Sequence, residues 1–248
     1  MKILVCISQV PDTAAKIVVS DDGKSINSTG VKYILNPYDE FAIEEGLRLK
    51  TQFSGSVTTV NVGPDSGKEI LRTALAMGSD AATLIKDDNR TDSYSVAFNI
   101  AEYAKELQPD ILLFGRQSID FDSLQLPSMV AELLGMPNIS MVSSLTITDS
   151  TVAAERDVES GKEIVTTTLP CVISAQKGLN DPRYPKLPDI MKAKSKPIEE
   201  RSAVTTSARV EIVSMEQPES KRLNKILGDS DGDISELVRL LHEEAKII

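Results

Sequence analysis

Histidine is nearly absent from this chain: His242 is the only one, and there are just two cysteines, Cys6 and Cys171. A lone histidine leaves no His-rich metal site and no Ser–His or Cys–His pair, which disfavours ordinary hydrolytic catalysis; no metal is expected. Both cysteines sit in apolar runs, so they read as reduced core residues in a reducing compartment. Positive charge is also short: 27 Lys and Arg against 37 Asp and Glu give a net charge of −10, which argues against general nucleic-acid binding. No apolar run is long enough to span a bilayer, and the N-terminus enters a strand pattern without a signal sequence. Membrane insertion is therefore not expected. The expected location is cytoplasmic, or the mitochondrial matrix for a eukaryotic source. Neither a Walker lysine motif nor GxGxxG occurs, which excludes a P-loop and a standard dinucleotide fold.

What is present is a regular alternation. With 248 residues, 41% apolar and 26% charged, the chain suits one large soluble domain, or one domain with an appendage. Lys2 to Ser8 reads as a buried strand, followed by a small excursion or hairpin around Ile17 to Val19 and an Asp-Asp-Gly turn. Asn36-Pro37 starts a helix, with Asn as N-cap, Pro in the first turn and Asp39 placed for the dipole. Strands at Ser56 to Val62, Ala81 to Lys86 and Ile111 to Phe114 alternate with helices whose inner faces carry Ile70, Leu71, Ala74 and Leu75, then Val96, Ala97, Ile100, Ala101 and Ala104. This rhythm implies a doubly wound, mostly parallel α/β sheet. Beyond Pro137, Ser144 to Thr148, Thr151 to Val158 and Glu163 to Leu169 alternate apolar and polar residues as a small antiparallel meander. Cys171 to Ala175 returns to the buried sheet. Lys177 to Pro197 reads as a long irregular segment. The polar tail offers a strand at Arg209 to Val213 and a last amphipathic helix from Ile234 to Ala245. Too thin in apolar residues for its own core, the tail is expected to extend along a partner.

The stretch Asp110 to Pro137 organises the rest. It joins a buried strand to a helix carrying Leu126, Val130, Leu133 and Leu134, through the polar turn GRQSIDFDS. Arg116, Gln117, Asp120, Asp122, Ser123 and Gln125 crowd that turn, at the carboxyl end of a strand, where open α/β sheets bind ligands. Loops at Cys6 to Asp12 and Val62 to Pro64, with the Asn36-Pro37 helix start, border the same crevice. Singly, Asn36-Pro37 and Gly63-Pro64 are ordinary helix starts. Together they point to an adenine-nucleotide site, the base held by strand-end backbone and the phosphate by the Gly115 turn and helix N-terminus. A second candidate is Gln176 to Pro197, where Leu187, Ile190 and Met191 sit among lysines and prolines. The plain alternative is a solvated linker, but exposed apolar side chains in a proline-stiffened loop suggest a docking surface.

The runs NPYDEFAIEEGLRLK, GPDSGKEILRTALAMGSD, FGRQSIDFDS and LNDPRYPKLPDIMKAKSKP resemble the beta subunit of electron transfer flavoproteins, from the first strand to about Glu199. The resemblance implies a Rossmann-like nucleotide-binding domain over residues 1–198, with a recognition loop at 176–197, and a C-terminal arm over 199–248 embracing an alpha subunit. It implies a heterodimer in which alpha holds most of a redox-active FAD. That heterodimer takes electrons from dehydrogenases, such as the acyl-CoA dehydrogenases of fatty acid oxidation, and passes them to a quinone oxidoreductase or other acceptor. Beta itself is then a carrier subunit with no catalytic residue. The crevice would hold AMP as a structural ligand, lined by Cys6, Asn36, Pro37, Tyr38, Asp39 and Val62, and by Gly115, Arg116, Gln117, Ser118, Ile119, Asp120, Phe121, Asp122, Ser123, Leu124, Gln125 and Leu126. Thr13 and Tyr38 match positions near the alpha-bound flavin. Leu187 matches the anchor of the recognition loop, with Pro188, Ile190 and Met191 beside it.

The phosphate loop departs from the family pattern. AMP-binding relatives carry an Asn-Gln-Thr-Gly run and electron-bifurcating ones, which place a second FAD in the crevice, a Gly-Asp-Thr-Ala-Gln-Val-Gly run. Here Phe121-Asp122-Ser123-Leu124-Gln125-Leu126-Pro127 stands instead: the leucines remove polar partners and Pro127 removes an N–H donor. AMP is favoured over bifurcation. A stand-alone nucleotide-binding or nucleotide-hydrolysing protein of the same architecture is the alternative from another class; it would have no use for the recognition loop.

Overall fold

Short apolar runs bounded by turns become the central strands of one sheet in a computed structural model that describes residues 1–88, 92–218 and 225–247. In chain order the elements are β1 (Lys2–Cys6), β2 (Gln9–Pro11), β3 (Tyr33–Leu35), α1 (Pro37–Phe53), β4 (Ser56–Gly63), α2 (Lys68–Met77), β5 (Ala81–Lys86) and α3 (Ser93–Leu107). Next come β6 (Ile111–Gly115), α4 (Leu126–Leu134), β7 (Asn138–Thr148), β8 (Thr151–Val158), β9 (Gly161–Thr168), β10 (Cys171–Ala175), α5 (Leu187–Ser195), β11 (Glu199–Ser202) and α6 (Asp231–Arg239). Nine strands form the main sheet in the order β11-β5-β4-β1-β6-β10-β7-β8-β9, while β2 and β3 make a separate antiparallel ladder.

Strand alternation sends neighbouring residues to opposite faces. Ile3 and Val5 of β1 pack with Ala42, Ile43 and Leu47 of α1 and Leu71 and Ala74 of α2; Leu4 and Cys6 pack with Ala97, Ile100 and Ala104 of α3 and Val130 of α4. Helices thus cover both faces of a mostly parallel, Rossmann-like sheet. From β1 the chain winds outward through β4 and β5, then crosses back to β6 on the other side of β1. The order of winding therefore reverses between β1 and β6, which leaves a crevice at their carboxyl ends.

The antiparallel meander continues this same sheet. The first part of β7 pairs in parallel with β10, and after a register shift the strand runs on to pair antiparallel with β8. Met141, at φ 59°, marks the irregularity, and its N–H is taken by Ser174 Oγ at 2.9 Å.

Two expectations are corrected. Residues 187–195, read as irregular, form α5. Pro188 falls in its first turn, Asp189 favours its N-terminus and Lys192 and Lys194 its C-terminus, so the prolines start a helix rather than forbid one. The strand expected at Arg209 to Val213 does not form, because the Arg209 and Val210 N–H groups go to the Asp92 carboxylate instead of a neighbouring strand. The first residues of the expected arm, Glu199–Ser202, form the edge strand β11, parallel to β5. Residues 219–224 and 248 of that arm lie outside the described residues. No helix among the described residues is long and apolar enough to cross a membrane.

Candidate functional site

A crevice of about 290 Å³ opens where β1, β4 and β6 end. Its floor is Cys6 at the end of β1 with Ile7 and Ser8 beyond it, Asn61 and Val62 of β4, and Phe114 and Gly115 of β6. The Arg116–Leu126 turn and the start of α4 form one wall, and the first turns of α3 form the other.

Asp39 locks the floor. It is only 3% exposed although it belongs to the first turn of α1, and its Oδ2 accepts from Ser8 N–H at 2.7 Å while Oδ1 accepts from Gly115 N–H at 3.1 Å. One carboxyl therefore ties together the β1 loop, the β6 loop and α1. Burial pushes its pKa up to about 7, against the hydrogen bonds from Ser8, Asn36 and Gly115. Burial, reinforced by the nearby Asp39 charge, raises the Cys6 thiol well above its ordinary range, so Cys6 is no nucleophile. Gly115 is required by space: a Cβ there would meet Asp39 Oδ1 at 2.4 Å and the Tyr38 carbonyl carbon at 2.6 Å.

Asn36 serves the site and not as a side-chain cap. No side-chain capping bond forms at α1; Asn36 Nδ2 donates to Gln117 O at 2.9 Å, across to the β6 loop, and its Oδ1 is buried without a hydrogen-bond partner. Arg116 is held by amide oxygens, donating to Gln117 Oε1 at 2.7 Å and Gln176 Oε1 at 3.1 Å, and its guanidinium lies 5.4 Å from the Tyr38 ring centre. With neutral partners, its charge is left to act on an anion. Between Arg116 and α4 the loop turns through Asp122 and Leu124, both in the left-handed region at φ 50° and 53°. Gln117 Nε2 donates to Asp122 Oδ1, and Asp122 N–H donates to Ser118 O at 2.9 Å. Pro127, in the first turn of α4, removes a donor from the helix end that faces the crevice.

Of the residues singled out from the sequence, Cys6, Asp39, Val62, Gly115–Ser118, Asp120, Phe121 and Ser123–Leu126 line the crevice. Asn36, Pro37, Tyr38, Ile119 and Asp122 do not line it; Asn36, Tyr38 and Asp122 stand behind it as supports. Thr13 is exposed in the turn after β2. The antiparallel register of β2 and β3, Gln9 opposite Leu35 and Pro11 opposite Tyr33, carries Thr13 and Tyr38 away from each other to opposite ends of the ladder. Sequence reasoning missed Asp92, Tyr94, Arg209, Val210 and Ile212, which also line the crevice. Asp92 had a signal, being an N-cap whose Oδ1 accepts from Ser95 N–H at 2.8 Å. The tail residues had none.

The second candidate surface is mounted on α1 and α2. Leu187, at the start of α5, is 72% exposed, and Met191, one turn on, 58%. Beneath them Arg183 makes a two-pronged pair with Glu44, Nε at 2.7 Å and Nη2 at 2.8 Å, and Glu44 raises the Arg183 pKa further. Asn180 Nδ2 donates to Phe41 O at 3.0 Å and Glu45 Oε2 at 2.9 Å, and Arg72 Nη1 donates to Ala193 O at 2.8 Å. The apolar side chains are thus presented on a fixed base.

Comparison with known proteins decides the family. The electron transfer flavoprotein domain matches residues 24–206. The electron transfer flavoprotein subunit beta of Bacillus subtilis is 41% identical over 259 aligned residues, covering all of both chains. The chain belongs to the electron transfer flavoprotein beta-subunit family. Subunit beta of Bradyrhizobium diazoefficiens is 36% identical over 253 residues, again covering both chains fully. The mitochondrial subunit beta of Arabidopsis thaliana is also 36% identical over 259 residues with full coverage. Among the beta-subunit sequence runs, NPYDEF supplies the buried Asp39, FGRQSIDFDS the crevice wall, and LNDPRYPKLPDIMKAKSKP the α5 mount.

Proposed function

We propose that this chain is the beta subunit of an electron transfer flavoprotein, a redox carrier that works in a heterodimer with an FAD-holding alpha subunit. The observation that carries the reading is the pairing of a switch-point crevice with a separately braced, exposed Leu187 helix. A stand-alone nucleotide hydrolase has use for the first and none for the second. Leu187, with Pro188, Ile190 and Met191, is the anchor for dehydrogenases such as those acting on acyl-CoA. A quinone oxidoreductase is the proposed acceptor. FAD, bound chiefly by alpha, supplies the one- and two-electron chemistry; Thr13 and Tyr38 are this chain's candidates to face it. The arm reaches alpha through its later part, where α6 leaves Ile234, Leu237 and Val238 exposed.

The crevice residues fit an adenine mononucleotide. Val62, Val96 and Phe114 offer an apolar berth for a base, Arg116 and the start of α4 a positive end for a phosphate, and Ser118, Ser123 and Gln125 polar groups between. About 290 Å³ falls just under the usual span of ligand sites, ~300–1,000 Å³. FAD more than doubles the bulk of AMP, which favours AMP over the second FAD of a bifurcating subunit. The test is purification with and without a co-expressed alpha subunit, followed by extraction of nucleotides. The expected result is a colourless isolated chain, and a yellow heterodimer that yields one AMP and one FAD. Stable one-to-one FAD binding by the isolated chain, or ATP turnover by it, would instead promote another reading.

A further inference from the structure

The tail that follows β11 does not leave the domain at once. Ala203 N–H donates to Lys86 O at 3.1 Å, and the chain then runs along α3. Asn99, buried in α3, treats Val204 as a strand would: Val204 N–H donates to Asn99 Oδ1 at 2.7 Å and Asn99 Nδ2 donates to Val204 O at 3.2 Å. Two turns earlier, at the N-cap of α3, Asp92 repeats the device, Oδ2 accepting from Arg209 N–H at 2.6 Å and from Val210 N–H at 3.0 Å. The Arg209 guanidinium sits 4.8 Å from the Tyr94 ring centre. Arg209, Val210 and Ile212 then line the crevice. Between those residues Glu211 pairs with Lys24 at 3.4 Å, and past them the tail is held again by the excursion between β2 and β3: Met215 N–H donates to Gly23 O at 2.7 Å and Gln217 Nε2 to Ile17 O at 2.6 Å.

We propose that residues 203–217 are a strap across the crevice, latched by the Asp92 carboxylate, so that the crevice ligand leaves only when the strap lifts. The strap is tied on both sides of its crevice-lining residues, and its middle supplies Val210 and Ile212 to the wall. Asp92 is suited to the latch because one carboxylate does two jobs: Oδ1 caps α3 and Oδ2 takes both strap amides. Burial works to raise its pKa, but the donated hydrogen bonds outweigh that and hold it below the usual carboxylate range.

This inference rests on the nucleotide reading of the crevice, and the experiment separates the two. The heterodimer is loaded with radiolabelled AMP and chased with excess unlabelled AMP, for wild type, Asp92→Ser and Val210→Pro. Serine keeps a capping oxygen for α3 but has none left for the strap; proline removes one strap donor and leaves α3 untouched. Both variants are expected to release AMP about tenfold faster, equivalent to ~1.4 kcal/mol. Amide exchange at Arg209 in both variants and at Val210 in Asp92→Ser should quicken in parallel, with α3 still protected. Wild-type heterodimer that binds AMP, with the same release rate in both variants, overturns the strap alone. Wild-type heterodimer that retains no AMP overturns the nucleotide reading, and the strap's role with it.

Discussion

Replacing Asp39 with asparagine tests the central joint of the site. Asp39 has its carboxyl pushed up to about 7 by burial, whereas an unfolded aspartate titrates near ~3.9. Between those values the folded chain holds a proton that the unfolded chain has lost, so stability falls as pH rises through the window and levels off above it. At about 1.4 kcal/mol per pH unit, a separation of roughly 3 units bounds the loss on the order of 4 kcal/mol. Asparagine does not titrate, so the Asp39→Asn variant lacks this slope, and every other ionisable group cancels in the comparison. Asparagine also has one acceptor where Ser8 N–H and Gly115 N–H need two, an offset of ~1–3 kcal/mol at all pH values. The variant should therefore be the less stable protein at pH 5, with the gap closing or reversing by pH 8. Urea unfolding of both proteins across that range measures it. A gap that stays constant, or widens as pH rises, would mean that the buried carboxylate is stabilised by its three neighbours and that the reasoning from burial fails.

Truncating Leu187 to alanine should weaken productive dehydrogenase docking on the order of tenfold, since burying one leucine contributes ~1.5–3 kcal/mol, while urea stability and the flavin spectrum of the heterodimer stay nearly as they are because Leu187 is exposed and outside the core. Electron-transfer rates from a cognate dehydrogenase at two salt concentrations read this out, and an unchanged rate would remove Leu187 from the interface. Gly115→Ala should cost ~1–3 kcal/mol by overpacking, because its Cβ meets the α1 backbone as well as Asp39, and should lower AMP content at the same time. Denaturation and nucleotide extraction on one preparation check both effects; full stability in the alanine variant would contradict the packing shown for the crevice floor.

Local chemistry set much of this protein before any packing is considered. The strand Ala81–Lys86 and the inward face of α3, Ala97, Ile100, Ala101 and Ala104, are legible from pattern, because an apolar run and helical periodicity are properties of neighbours in sequence. The crowded turn after β6 was also legible, since strand–polar turn–helix is a local signature. The prolines of 182–188 misled for the same reason: they are local breakers, yet Pro188 in a first turn begins α5, and α5 persists because α2 and Arg72 receive it. The tertiary structure alone decided what Asp39 is. Its sequence context is a helix start, where an acid is ordinarily exposed, and only the arrival of the Ser8 and Gly115 loops buries it and shifts its proton. The same holds for Asp92 and the tail. An isolated polar segment carries no periodicity, so its fate depends on whether some distant side chain can take its N–H groups, and here α3 places Asn99 and Asp92 along its path.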